Sequence, residues 1–505
     1  MKQQVASVPP FREVVLSKGG YNPAVAVMAI VNMLLIIISV VQILAGPEGG
    51  DGWPQRISLV YLLWLLVFIG GIYAYHRTVY LYSVVYVACL SIFHFGIVFQ
   101  ASLGTILLPR DWVSGPFSSF LEEAGWLILT ALASFGLGFS SSALFTKHKV
   151  VSGSYAQAKK RHTYRVANWM SIGLLLSCVV FALLAFKSYG NLLAYSRAEI
   201  FRSASDSRGL GVFMMIFPGA VCLFFLSART RWSKIMGWGL TVFALLLFLF
   251  SGYRSAALFT AFVGVVTWVK QGRKLPIWVA AAMLFSAAIF ISFFGVLRTT
   301  GAYQDIDSED IKQSFENASV EQSLLSIGNT VSIVAHVVEL VPEADPYRQG
   351  QSYWIALKSS IPNIGLNLNR SLGRGSIRSS ASLDDSAARN LAPGDWLTYR
   401  ILRNQFYLNQ GVGFSGVAEP YLNFGLPGVI LFFITLGLML GILDSKNISL
   451  SPKLMIFCCA MLWPLMRTVR NDFANFIKPL IFISIVLIIW WVVSRFFLKK
   501  DINLN

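Results

Sequence analysis

The sequence predicts an all-α, polytopic helical membrane protein with about twelve transmembrane helices and one large external loop. Three observations carry this. Many windows of near twenty residues are apolar, enough to cross a hydrocarbon core of about 30 Å at 1.5 Å per residue. Only 13% of the 505 residues are charged, and the mean hydropathy is +0.63. The basic residues between the apolar runs fall in alternate links, as the positive-inside bias requires.

The apolar runs lie roughly at 23–45, 57–75, 79–100, 121–145, 167–187, 210–228, 234–251, 255–270, 276–297, 424–444, 453–468 and 476–497. Residues 1–298 would then hold nine helices, 299–416 the external loop, and 417–505 three helices and a tail. The start, Met1 to Gly20, is polar and carries Lys2, Arg12 and Lys18, and the first apolar run is expected to stay as a span rather than act as a cleavable signal. The link Lys147–Arg165 is basic and holds no acidic residue, and Arg495, Lys499 and Lys500 mark the tail. The first external link carries Glu48 and Asp51 instead. Both termini are expected in the cytoplasm. The net charge of +17 therefore reflects cytoplasmic links rather than nucleic-acid binding. The cysteines, Cys89, Cys178, Cys222, Cys458 and Cys459, all lie in apolar runs, which argues against a disulfide framework or a metal site.

That topology leaves some arginines unexplained. Arg197 and Arg202 fall in an external link, Arg254 in a short external turn, and Arg298 at the external end of the ninth run. Arg467 and Arg470 lie in the last external turn. Guanidinium suits planar, bidentate capture of phosphate oxygens. Each alone is equally explained by snorkelling to headgroups or pairing with a loop carboxylate. As a set they point to an anion held at the external membrane surface.

The external loop opens on an acidic run, Asp305, Asp307, Glu309 and Asp310, expected to be a solvated face. Glu321–Leu340 reads as a helix with the stripe Leu324, Ile327, Val331, Val334 and Val338, ended by Pro342. His336 and Glu339 sit on it. No P-loop or dinucleotide fingerprint is present, and no metal-ligand spacing. No cofactor or metal is expected. A substrate that carries its own leaving group, a lipid-linked phosphate or diphosphate, fits the external arginines better than a soluble nucleotide sugar.

Between the polar loop and the apolar run Val429–Leu443 lies the stretch Gly413-Phe-Ser-Gly-Val-Ala-Glu-Pro-Tyr-Leu-Asn-Phe-Gly-Leu-Pro-Gly428. Glu419 is either a general base in a desolvated setting or a carboxylate tying the loop to the bundle. His336 is either a second candidate base or a satisfied histidine of the loop helix. Asp472 reads as a local ion pair with Arg470, and Asn423 as a structural group at the start of the tenth helix.

In this stretch, and in the helix that follows it, the chain resembles the Wzy-type O-antigen polymerases. Glu419, Tyr421, Asn423 and Gly425 match the junction motif. The wider plan is similar: about twelve spans, cytoplasmic ends, a large loop before the third-last span, and external arginines. The resemblance implies a GT-C-like membrane glycosyltransferase in the bacterial inner membrane. It would join undecaprenyl-diphosphate-linked oligosaccharide repeat units at the periplasmic face, with membrane lipid and a Wzz-like chain-length regulator as partners and no nucleic acid. It also implies roles for groups like Arg254 and His336. On this reading Glu419 and His336 are the catalytic candidates. Arg254, Arg298, Arg197, Arg202, Arg467 and Arg470 are the diphosphate ligands, supported by Tyr421, Asn423 and Asp472. The alternatives are an O-antigen ligase and a flippase or transporter of the lipid-linked oligosaccharide. A transporter predicts charges near the bilayer midplane rather than at the rim.

Overall fold

The computed structural model describes residues 22–47, 49–106, 108–109, 112, 115–145, 154–189, 210–228, 230–250, 254–270, 275–276, 278–279, 328–361, 385–407, 411–446 and 451–502. Among them the chain is helical with no strand. The long helices are α1 (Pro23–Ala45), α2 (Trp53–His76), α3 (Tyr82–Ser102), α4 (Phe117–Phe145), α5 (Ser154–Tyr189), α6 (Leu210–Ser227), α7 (Arg231–Phe250) and α8 (Arg254–Lys270). Short helices α9 (Thr330–Leu340), α10 (Gln351–Ser360), α11 (Asp385–Ala388), α12 (Pro393–Ile401) and α13 (Arg403–Tyr407) follow. The chain closes with α14 (Ala418–Asp444), α15 (Pro452–Arg467) and α16 (Ala474–Ile502).

Six of these are long and apolar enough to cross a membrane: α1, α2, α3, α4, α14 and residues 474–493 of α16. The remaining expected spans coincide with α5 to α8 and α15, except the run 276–297, most of which lies outside the described residues. The helix expected from Glu321 begins at Thr330, because Gly328 and Asn329 form a bend and a turn before it. Residues 321–327 lie outside the described set.

Small residues let the central helices approach closely, the usual route to packing where lipid offers no hydrophobic gain. α4 and α14 cross backbone to backbone. A methyl group on Gly138 would collide with the Ile434 carbonyl, and one on Gly437 with the Phe135 carbonyl. Buried polar bonds add specificity. Asn32 of α1 accepts from the Trp64 indole of α2 (2.8 Å) and donates to the Met28 carbonyl (2.6 Å).

The two ends of the bundle are fastened differently. At the end carrying α9 to α13, Arg56 of α2 grips Glu122 of α4 with two nitrogens, and Gly49 closes the loop onto the same carboxylate. At the far end, Asp444 closes α14. It accepts from the amides of Tyr82 and Ser83 at the start of α3 (both 2.9 Å) and from Lys270 at the end of α8 (2.7 Å). α8 therefore runs in the same direction as α14, and Arg254 starts it towards the loop-bearing end.

The close crossing gives a direct test. Gly437→Leu should destabilise the purified protein by about 1–3 kcal/mol or more, since an overpacked interface must shift backbone. Gly70→Ala, with open space around it, should leave the melting temperature within a degree or so of the parent. Equal melting of both variants would contradict the backbone contact.

Candidate functional site

The stretch singled out in the sequence is not a loop entering a helix. It is the first turns of α14 itself, which starts at Ala418. Ser415 prepares that start. Its Oγ accepts from the amides of Val417 (3.1 Å) and Ala418 (3.4 Å), satisfying donors that a helix N-terminus leaves free. The same hydroxyl donates to Nε2 of the fully buried His94 on α3 (2.8 Å). His94 Nδ1 faces the Leu90 carbonyl (2.9 Å), which can only accept, so Nδ1 carries the proton and Nε2 is left as the acceptor.

α14 then breaks. Pro427 has no N–H to give the Asn423 carbonyl, and Gly425 adopts φ 64°, ψ −155°, a region open to glycine alone. The break frees the carbonyls of Leu422 and Asn423. They take the amides of Arg348 (3.0 Å) and Gln349 (2.9 Å) from the segment between α9 and α10. Asn423 completes the clip with its side chain. Its Oδ1 accepts from the amides of Gly350 (3.0 Å) and Ser352 (3.4 Å), capping α10, whose own N-cap is a glycine without a side chain. Its Nδ2 donates to Ser352 Oγ (2.7 Å) and to the Glu419 carbonyl (2.8 Å).

Glu419 lies at the centre and is only 2% exposed. Oε1 accepts from Ser352 Oγ (2.7 Å) and Oε2 from the amide of Phe473, in the turn before α16. The carboxylate does tie the loop to the bundle, but through neutral donors. Among the described residues no lysine or arginine lies within ion-pair distance of it. Two acceptor positions are used, and a carboxylate has about four.

Nearby groups respond to that charge. Burial, with Glu419 adding to it, pushes the Tyr353 phenol well above its usual range, so it remains a donor. Burial pulls Arg348 down to about 10, against the opposing pull of Asp345 and Glu419, so it stays cationic at neutral pH. Arg348 lies over Trp396 (5.0 Å) and gives Nη1 to the Leu391 carbonyl (2.9 Å), while its buried Nη2 has no partner. Asp345 organises the short helices between α8 and α14, accepting from Arg389 (3.0 Å), Arg400 (2.8 Å) and the Trp396 indole (3.1 Å).

The expected site residues divide into three groups. Glu419, Asn423 and Asp472 share one end of the bundle: Asn423 bonds the Glu419 carbonyl and Ser352, while Glu419 and Asp472 both meet residues 472–475. Asp472 accepts from Asn475 Nδ2 (2.8 Å) and from the Gly394 amide at the start of α12, rather than standing as a local pair with Arg470. Burial holds its carboxyl above the usual range, and neighbouring Asp395 adds to this. Arg467 donates to Asn475 (3.1 Å), and Arg470 lies over Phe93 (5.7 Å), both in this same turn. Tyr421 reaches the Val341 carbonyl (3.5 Å) and meets Tyr347 edge-on. His336 stands apart. It bonds Glu339 (3.0 Å) and lies against Phe117 of α4 (4.5 Å), and it shares no partner with Glu419. Arg197, Arg202 and Arg298 lie outside the described residues, as does the Arg254 side chain.

Ser352, Arg348, Tyr353 and the His94–Ser415 pair were not anticipated. The only local hint was Gly350 ahead of Ser352, since a helix that opens on glycine must borrow its cap from elsewhere. His94 read simply as a residue within a span.

A helical multi-pass membrane protein with a buried carboxylate, hydrogen-bonded by neutral donors, at its loop-bearing end is the class this arrangement defines. Sequence comparison makes it specific. The profile of the O-antigen polysaccharide polymerase Wzy family matches residues 25–501, nearly the whole chain. The protein belongs to that family. No curated protein and no solved structure matches the chain.

The clip around Asn423 can be tested alone. Asn423→Leu removes the shared cap and strands two buried amides, which should cost about 1–3 kcal/mol for each unsatisfied group. Amide exchange at Gly350 and Ser352 should accelerate while that of α4 is unchanged. Unaltered protection at Gly350 would show that the cap is dispensable.

Proposed function

We propose that this polymerase joins oligosaccharide repeat units carried on undecaprenyl diphosphate, at the periplasmic face of the inner membrane, with both chain termini in the cytoplasm. One observation carries the proposal about the site: Glu419 is buried at the loop-bearing end, fixed by two neutral donors, with no cation bonded to it and acceptor positions to spare. A GT-C-like arrangement of about twelve spans would place it beside the external arginines.

In the proposed reaction a hydroxyl of the acceptor's terminal sugar attacks the anomeric carbon of the donor. The new glycosidic bond forms as the bond to the diphosphate oxygen breaks, and undecaprenyl diphosphate leaves with the electron pair. The hydroxyl proton passes to Glu419. Ser352 and the Phe473 amide orient the carboxylate, and Asn423 holds Ser352. Arg254, Arg298, Arg197 and Arg202 would stabilise the charge that develops on the diphosphate, with Arg467 and Arg470 next to them and Asp472 and Tyr421 in support. His336, set against α4 and paired with Glu339, is the second candidate base. A Wzz-like regulator would act on chain length from outside this site.

Glu419→Gln keeps the shape. The amide oxygen can still accept from Phe473, and the NH2 can donate to Ser352 Oγ. Loss of the base should lower the polymerisation rate about 10²–10⁴-fold, with the melting temperature held near the parent. The assay is purified protein with lipid-linked repeat units alone, read by mass as a ladder of multiples of one repeat. An active, well-folded Glu419→Gln variant would remove Glu419 from the chemistry. Product only on adding a second acceptor would mark a ligase, and translocation without new bonds a flippase.

Arg254→Ala tests the diphosphate role in the same assay. The variant should fold and bind membrane normally while products stop at single repeats on the lipid. Unchanged polymer length would exclude Arg254 from the leaving-group site.

A further inference from the structure

Helix α10 is amphipathic in the wrong sense for water. Its buried face is Ser352, Ala356 and Ser360, spaced four apart, all small and two of them polar. Its outward face carries Trp354 (55% exposed), Leu357 (42%) and, just past its end, Ile361 (44%). Spacings of three and four put these large side chains on one stripe. A helix facing solvent would bury the tryptophan, leucine and isoleucine and expose the serines.

The neighbours of α10 say what covers the stripe. The helix packs along α16 and touches α14. Tyr353 joins it to both, facing Phe473 (5.2 Å) and Phe424 (6.4 Å). Phe424 is half exposed and sits at the break in α14. The exposed surfaces of α14 and α16 beyond that point are apolar, with Leu431, Ile485, Ile488 and Ile489 among them. The stripe of α10 thus continues the surface that two membrane-spanning helices show to lipid. Lys358 lies over the Trp354 ring (5.3 Å), a cation beside an amphipathic ring, which suits the phosphate level of a bilayer. Gln351, at the other end of the helix, bonds Asn390 of the external segment (2.8 Å).

We propose that α10 is an interfacial helix whose Trp354–Leu357–Ile361 face is seated in the bilayer leaflet next to the site. Its occupant is membrane lipid. The consequence concerns Glu419. Ser352, on the opposite side of α10, holds the Glu419 carboxylate, so a helix anchored in the leaflet sets the carboxylate at headgroup depth. That part of the inference rests on the polymerase reading above: a sugar on a lipid diphosphate is presented at this depth. The helix then acts as a positioning element for lipid-borne substrate rather than as a catalytic one.

The test uses the full chain. The five native cysteines are all buried, so a nitroxide can be placed selectively on Leu357→Cys. The protein is reconstituted into vesicles of phosphatidylethanolamine and phosphatidylglycerol. The label at position 357 should collide several-fold more often with oxygen than with a water-soluble nickel complex, and a label on the exposed Glu343→Cys should show the reverse. Nickel access at position 357 equal to that at 343 would overturn the proposal. So would spin–spin broadening between labels, which would mark a second copy of the chain as the occupant. Ile361→Cys carries the same expectation should Leu357→Cys not fold. A second arm reads function. Leu357→Asp should slow polymerisation of the full-length lipid-linked repeat about tenfold or more, yet act within about twofold of the parent on a short-chain, water-soluble analogue; equal losses on both would overturn the positioning role. If the parent protein gives no ladder, the polymerase reading fails while the depth measurement still decides where α10 lies.

Discussion

The break in α14 is the constraint on which the loop-bearing end depends. An unbroken helix would spend the Leu422 and Asn423 carbonyls on its own amides. Pro427 cannot donate, and Gly425 turns the backbone where no other residue goes comfortably. Two carbonyls are left, and buried carbonyls require partners. Residues 348 and 349 supply them, which docks their segment at a defined register. Once Gly350 and Ser352 are in place, the Asn423 side chain can cap α10 and Ser352 can reach Glu419. The site is thus a consequence of a helix that starts at Ala418 and is interrupted at Gly425, with Glu419 in the turns before the interruption.

Much of the fold was legible because membrane helices advertise themselves. Apolar runs of twenty residues have few alternatives, and α1 was bounded to the residue. The motif around Glu419 was legible as a place but misread as a structure. Glycine and proline at 425, 427 and 428 signal irregular backbone, and the apolar run at 424–444 puts the helix start beside them. In the structure they interrupt a helix already begun at Ala418. The polar partners were not legible at all. Ser352 and Glu419 are 67 positions apart, and nothing in the local pattern of Gln351–Ser360 points to a carboxylate. The inverted face of α10 was hidden for a related reason. A short stripe of Trp354, Leu357 and Ile361 looks like a buried face until its neighbours are known. His336 is singled out in the sequence by residue type, and the fold sets it apart from Glu419, against Glu339 and Phe117.

The His94–Ser415 pair adds a second constraint on the same helix. Ser415 can cap α14 only if its own proton has somewhere to go, and His94 Nε2 receives it. The histidine is held in that form by the Leu90 carbonyl one turn away on α3. The start of α14 is therefore registered against α3 at one end just as Asp444 registers it at the other. A helix pinned to the same neighbour at both ends cannot slide along it, so the Glu419 carboxylate keeps a fixed height relative to α3 and α4.

The two carboxylates of α14 make the strongest internal argument for function. Both are buried, Glu419 at the start and Asp444 at the end. Asp444 is fully compensated: Lys270 pairs with it, two amides at the start of α3 donate to it, and Ser83 Oγ adds a further bond (2.6 Å). That is what a purely structural buried carboxylate requires, because a charge removed from water costs several kcal/mol unless it is matched. Glu419 receives one hydroxyl and one amide, both neutral. If fastening α10 to the bundle were its whole role, a glutamine could do the same with the same two bonds and without the cost of the charge. A fold that satisfies one carboxylate completely and leaves the other short of donors has kept acceptor capacity at the second. The helix break places that capacity beside α10, at the boundary where, on the reading above, a lipid-borne sugar would meet the protein.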